Sequence, residues 1–222
     1  TQMDRMYLNP NYNYTNGGAS LKFGYQKIAR DFQSAYPFQT QGENTQIELY
    51  NRYVFGSKFY SVVGTLYQKQ KADYEGGQEL SQTDFFGNVV AVVSDRFRVN
   101  IGGRLNSHSS YGNQFTYSIN PSFQLVQNDK QSLKFLGALS SAFIAPSLYQ
   151  LYDPYSGNED LEPEENTSFE TGLEYVISDW NMSATYFYRN ENPSLIYDLS
   201  TYRYENAQEE ATYSGMEIQF SG

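Results

Sequence analysis

From Phe115 to Leu125 the chain reads Phe-Thr-Tyr-Ser-Ile-Asn-Pro-Ser-Phe-Gln-Leu, apolar and polar residues in strict turn. A β-strand, with its two-residue side-chain period, sorts such a segment into one apolar and one polar face; a helix cannot. The pattern returns along the chain. Phe97, Val99, Ile101 and Leu105 alternate with Arg98, Asn100, Gly102 and Arg104. Phe169, Leu173, Tyr175 and Ile177 alternate with Glu170, Gly172 and Glu174. Trp180, Met182, Ala184, Tyr186 and Tyr188 do the same, with Phe187 as the one break. Repeated strands of this kind are what a large antiparallel β-barrel requires.

Composition narrows the setting. The apolar face is rich in Tyr and Phe (22 and 15 of 222 residues), which suits a boundary between hydrocarbon and water better than a dry core. A net charge of −10 argues against a nucleic-acid partner, because phosphate binding needs a basic surface. The absence of Cys excludes disulfides, thiolate nucleophiles and Cys-based metal sites. The longest aliphatic run, Val89 to Val93, is too short to cross a bilayer as a helix. No secretion signal is visible at Thr1 to Asp4, so the expectation is a processed chain or one that begins partway through a longer protein.

Eleven strands are expected, at 5–14, 19–30, 45–55, 58–71, 82–94, 96–107, 114–127, 131–142, 166–177, 180–197 and 202–221, in a single domain spanning 1–222. Their connections alternate in length. Thr15 to Gly18, Gly56-Ser57, Ser94-Asp95, Asn128 to Lys130 and Ser178-Asp179 are tight, whereas Asp31 to Asn44, Ala72 to Ser81, His108 to Asn113 and Phe143 to Glu165 are longer. Only the last link, Asp198 to Thr201, departs from the rule. Transmembrane barrels place short turns on one side and long loops on the other. Aromatics gather beside the tight turns (Phe55, Phe59, Phe97, Tyr175, Trp180), and a second set (Tyr67, Phe115, Tyr117, Phe143, Phe169) falls towards the loops, the placement expected of two interfacial girdles. Arg98, Arg104, Gln124, Glu170, Glu174, Glu217 and Gln219 then belong to a polar inner wall.

The longest loop carries the most specific signal. From Ser140 it runs Ser-Ser-Ala-Phe-Ile-Ala-Pro-Ser-Leu-Tyr-Gln-Leu-Tyr-Asp-Pro-Tyr-Ser-Gly-Asn-Glu-Asp-Leu-Glu-Pro-Glu, followed at Thr167 by Thr-Ser-Phe-Glu-Thr-Gly-Leu-Glu-Tyr. Upstream stand Gly102-Gly103-Arg104, Ser107-His108-Ser109 and Tyr117-Ser118-Ile119-Asn120-Pro121-Ser122; downstream, Ala184 to Arg189 and Ala211 to Glu217. Together these closely resemble the second half of the barrel of TonB-dependent outer-membrane receptors, in particular the branch that takes cobalamin and related siderophores or haem. Ile144 stands where that family commonly has Arg, and Glu159 and Glu162 replace its usual Pro and Lys, making this loop more acidic.

The resemblance implies a segment of a 22-stranded barrel, about 11 strands of it, with the plug domain absent from this chain. It implies a bacterial outer-membrane location and import of a scarce nutrient such as cobalamin, an iron-siderophore or haem. The implied partners are outer-membrane lipid, the receptor's own plug and remaining strands, and the TonB–ExbB–ExbD complex acting through a missing N-terminal part. No cofactor is implied.

Ligand contact is expected in the loops: Tyr74, Glu75 and Glu79 in one, Tyr152, Asp153, Tyr155, Asn158 and Asp160 in the longest, and Tyr197 with Tyr202 at the last. Aromatics supply flat contact area and the acids supply acceptors. Asp153, Asn158, Glu159 and Asp160 are Ca²⁺-ligand types, but without EF-hand spacing a solvated acidic loop is the simpler reading. Catalysis is not expected, since the single histidine, His108, is flanked by Ser107 and Ser109, which cannot fold back on it as a triad. The alternative is a surface β-sheet protein that binds glycans through its tyrosines without transporting anything.

Overall fold

A computed structural model of the chain describes residues 1–33, 38–74 and 76–222. The strands are β1 (Gln2–Leu8), β2 (Asn11–Tyr14), β3 (Gly17–Phe32), β4 (Phe38–Val54), β5 (Phe59–Ala72), β6 (Gln78–Val92), β7 (Phe97–His108), β8 (Gly112–Gln127), β9 (Gln131–Ile144), β10 (Glu164–Ile177), β11 (Trp180–Glu191), β12 (Leu195–Asp198), β13 (Arg203–Asn206) and β14 (Ala211–Ser221). One short helix, α1 (Leu148–Tyr152), lies between β9 and β10. All but β12 and β13 form a single 12-stranded antiparallel sheet in chain order, with β1 and β2 both lying along β3. Pro10 separates those two because it has no N–H to give the ladder. Its carbonyl still accepts from Leu21 N at 3.1 Å, so the pair occupies one strand position, the expected strand 5–14.

Eleven positions along the wall therefore match the expected strands, and the differences lie at the loop end. β3 runs on to Phe32 and β4 resumes at Phe38, so most of the expected Asp31–Asn44 loop is strand. The link after His108 shrinks to residues 109–111, and Gly112 makes the turn with φ +69°, a backbone shape that favours glycine. The long strands expected at 180–197 and 202–221 are each broken: β11 stops at Glu191, and β12 and β13 form a separate hairpin. Pro193 offers no N–H to prolong β11 beside β14. The expected last loop, Asp198 to Thr201, is the tip of that hairpin, so the connection from β11 to β14 is long, whereas the link at 109–111 is as short as the tight turns and breaks the expected alternation.

Register sorts the side chains. Phe97, Phe123, Phe135, Leu173, Ala184 and Ile218 are successive cross-strand partners, one apolar row across six strands. Val89, Ile101, Ile119, Leu139, Phe169 and Tyr188 form a second row nearer the loops. Ile101, Leu173 and Phe123 are 49%, 46% and 40% exposed, so no second sheet covers this face as it would in a sandwich. Towards the loop end the same face turns charged on β1 to β6, where Asp4, Lys27, Glu43, Lys71 and Glu79 are successive partners. Lys27 pairs with Glu43 at 3.2 Å and Lys69 with Glu79 at 2.9 Å.

The opposite face is polar, with Lys134 bound to Glu174 at 2.9 Å and Lys22 to Glu48 at 3.1 Å. Phe187, the break in the alternation, lies on this face above Gly215, its partner on β14, where a Cβ would come within 2.6 Å of its ring. Aromatic contacts cluster at the turn end: Phe55 with Phe59 at 4.9 Å, Phe97 with Phe123 at 6.4 Å, and Trp180 with Phe220 at 4.8 Å between ring centres. The buried hydrophobic core is small, being Leu80, Leu148, Leu151 and Leu161, and it lies at the loop end of the polar face.

Candidate functional site

Residues 145–163 fold back over the polar face instead of projecting from the wall. Pro146 ends the ladder of β9, and Ser147 opens α1 with a capping box in which Gln150 N donates to Ser147 Oγ while Gln150 Oε1 accepts from Ser147 N at 2.8 Å. Leu148 and Leu151, three apart on the helix, share a face and bury against Leu80 of β6 together with Leu161. Asp153 then shapes the descent. Its Oδ2 accepts from Tyr155 N at 3.2 Å, Ser156 N at 3.0 Å and Ser156 Oγ at 2.7 Å. At Gly157 the chain passes so close to itself that a Cβ would lie 2.6 Å from the carbonyl oxygen of Asp153. Tyr111 ties the return by donating its hydroxyl to Leu161 O at 3.0 Å.

The β12–β13 hairpin docks on this folded loop. Tyr204 N donates to Ser156 O and Asn158 Nδ2 to Tyr204 O, each at 3.0 Å. Arg203 donates through Nε and Nη2 to Gly157 O at 3.1 and 2.5 Å. Asn206 closes a reciprocal pair with the backbone of Glu162, at 2.8 and 3.0 Å. Tyr204 also meets Tyr149 and Tyr197 edge-on, 6.0 and 5.2 Å between ring centres. Loop and hairpin together make one cap at the loop end, with a polar groove of about 520 Å³ running past Tyr155, Glu159 and Arg203.

Below the cap lies a polar cluster on the wall. Asp84 is fully buried, accepts from Asn106 Nδ2 at 2.5 Å and faces Arg104 Nη1 at 3.4 Å. His108, also buried, lines a cavity of about 160 Å³ together with Gln68, Gln70 and Pro146.

The cap divides the residues expected at the site into three groups. Tyr155 (88% exposed), Tyr202 (67%) and Tyr197 (43%) present their rings at its surface, with Asp160 also exposed. Tyr74, Tyr152, Asp153 and Asn158 build it: both tyrosines pack against the leucine cluster, and Asp153 and Asn158 hold the turns. Burial, and then the negative charge of Asp153, push the Tyr74 phenol above its ordinary range. Glu79 projects from the opposite, apolar face, where Lys69 and Lys71 flank it, and Glu75 lies outside the described residues. With Asp153 and Asn158 so engaged, the four Ca²⁺-ligand types do not converge, and no metal-holding group of three or more occurs among the described residues.

Residues of the cap not expected from the sequence include Arg203, Tyr204, Gly157 and Asn206. The spacing Ser147-x-x-Gln150 was the available signal for α1. Nothing local marks Arg203 or Asn206, because their partners are 46 and 44 residues away.

The family model for the TonB-dependent receptor-like β-barrel matches residues 3–222. The chain belongs to this family. Among curated proteins it is similar to the vitamin B12 transporter BtuB of Vibrio cholerae serotype O1, 29% identical over 181 residues, covering 79% of this chain and 28% of that protein. It is also similar to the BtuB of Photobacterium profundum, 25% identical over 191 residues, 85% of this chain and 28% of that one. Among solved structures, the siderophore receptor PirA from Pseudomonas aeruginosa superposes with a TM-score of 0.85 at 19% identity, covering 97% of this chain and 43% of that receptor. The ferric enterobactin receptor PfeA (G324V mutant) of the same organism gives 0.80 at 16% identity, with 98% and 40% covered. This TonB-dependent receptor barrel segment thus spans under half the length of the relatives it matches.

Proposed function

We propose that this chain is part of the wall of an outer-membrane receptor that imports a scarce, bulky nutrient, and that the cap takes part in capturing it. The single observation that carries this reading is the cap itself. A family barrel wall here commits two loops, cross-tied by residues 46 positions apart, to one body folded over the polar face at the loop end. On this reading the apolar rows meet lipid, the polar face looks into the lumen towards a plug domain, and TonB–ExbB–ExbD drives transport through the rest of the receptor. Tyr155, Tyr197 and Tyr202, with Asp160, are the groups offered to an incoming solute, because they are exposed on the cap, Tyr197 resting edge-on against Tyr204. A cobalamin, an iron-siderophore or haem has the size and the apolar faces that such tyrosines recognise.

The test is uptake by cells whose only copy of the full receptor carries Tyr155→Ala, Tyr197→Ala and Tyr202→Ala together. Growth limited in turn by vitamin B12, by ferric siderophore and by haem identifies the nutrient, and the triple variant is expected to lower uptake of that nutrient about ten-fold or more, each lost aromatic contact being worth on the order of 1 kcal/mol. Normal uptake by the triple variant, with the barrel assembled in the outer membrane, would remove the cap from the capture step.

A further inference from the structure

The two ends of the wall differ sharply in charge. The turns 15–16, 55–58, 93–96, 128–130 and 178–179 hold three acidic and three basic residues, a neutral set. The loops 73–77, 145–163 and 192–210 hold ten carboxylates and one guanidinium, so nine of the chain's ten net negative charges sit at the loop end. The one cation of these loops, Arg203, lines the groove and donates through Nε and Nη2 to Gly157 O, so its charge offsets one of the ten carboxylates. On the strand rim below, Arg189 is held between Glu164 and Glu191, Lys27 pairs with Glu43, Lys69 and Lys71 flank Glu79, and Arg30 lies beside Tyr74.

Asp153 and Glu159 both line the groove. Beside it, burial and then the charge of Asp153 hold the Tyr74 phenol above its ordinary range. Glu159, on the groove, is exposed, as is Asp160 nearby, whose backbone N donates to Asn158 Oδ1 at 3.0 Å. A net negative field around a groove raises the local concentration of cations and lowers that of anions, changing encounter rates by about ten-fold or more at low salt.

From this we infer that the solute captured at this site carries no net negative charge, being electroneutral or cationic, and that the cap rejects polyanionic iron chelates. The inference rests on the cap being the capture site, and its experiment separates the two ideas. This chain contains no cysteine, so Tyr155→Cys gives it one reporter thiol, and the unmodified full receptor supplies the background to be subtracted. Its rates of reaction with a cationic and an anionic methanethiosulfonate of similar size are compared in outer-membrane vesicles at low and high salt. The cationic reagent is expected to react about ten-fold faster than the anionic one relative to a free thiol, with the preference collapsing at high salt. Glu159→Gln with Asp160→Asn should cut it further. Equal rates, or a faster anionic reagent, would overturn the inference.

Binding supplies the second arm, using cyanocobalamin as the electroneutral probe and ferric enterobactin, with its net charge of −3, as the anionic one. Ferric enterobactin should associate weakly and faster as salt rises. Tight association that weakens with salt would overturn the inference. A cationic preference at the thiol, combined with normal uptake after Tyr155→Ala, Tyr197→Ala and Tyr202→Ala, would leave the charge of the site standing and defeat its role in capture.

Discussion

Arg203, on β13, donates two hydrogen bonds to the carbonyl oxygen of Gly157, a residue 46 positions earlier in the longest loop. This contact is where the hairpin and the loop become one body. A charged donor on a partly buried acceptor is worth about 1.5–3 kcal/mol. Arg203→Ala is therefore expected to loosen the cap by that amount while leaving the wall intact. Protease nicking within 192–210 should accelerate about ten-fold or more, with unchanged heat-modifiable mobility of the folded barrel. Arg203→Lys, which lacks the fork, should fall between the two.

Gly157→Ala should be the more damaging change. The added methyl meets backbone on two sides, 2.6 Å from Asp153 O and 2.8 Å from Leu151 O, and neither can swing away as a side chain would. The loop must then open the turn that Asp153 holds, exposing Leu148, Leu151 and Leu161. Binding of a hydrophobic dye to the folded receptor should rise more for Gly157→Ala than for Asn158→Ala, which removes two hydrogen bonds and adds no bulk.

Neighbouring residues on one strand should respond in opposite ways to the same charge. Ile119 lies in an apolar row, and Asn120 on the polar face opposite Asn100. Arginine facing hydrocarbon near mid-depth costs roughly 2–4 kcal/mol. Ile119→Arg should lower the denaturant midpoint of the membrane-inserted receptor accordingly, and Asn120→Arg should change it little. Equal effects would contradict the assignment of the two faces.

Asp84 and Arg104 make a pair whose halves are unequal, the carboxylate fully buried and the guanidinium half exposed. Arg104→Ala leaves a buried carboxylate with Asn106 alone, and a loss of about 3 kcal/mol is expected. Adding Asp84→Asn removes the stranded charge and should restore most of it. A double variant no more stable than Arg104→Ala would show that the ion pair does not govern this part of the wall.

The wall was legible because its signal is local and repeated. Ile101, Phe123 and Leu173 declare their face through their immediate neighbours, and a register error of one residue would have reversed all of them. Strand ends were less legible. Lys27, Glu43, Lys71 and Glu79 alternate in sign across strands rather than along them, so no window of one strand reveals that β3 to β6 continue past the apolar rows. The cap was the least visible, since its contacts join Gly157 to Arg203 and Leu80 to Leu161. Tyr152 and Tyr155 illustrate the limit: three residues apart in one aromatic run, one packs in the cap and the other stands in the open.

The charged row on β1 to β6 also sets how deep the barrel rides. Glu79 lies six residues above Phe85 on the same face, roughly 15 Å along the bilayer normal once the usual strand rise and tilt are allowed for. Sinking the wall by two pleats would drag Lys71 and Glu43 towards acyl chains, and lifting it by two would bare Tyr67 and Phe85 to water. Each direction is opposed, so the row acts as a waterline that keeps the receptor's entrance standing proud of the headgroups.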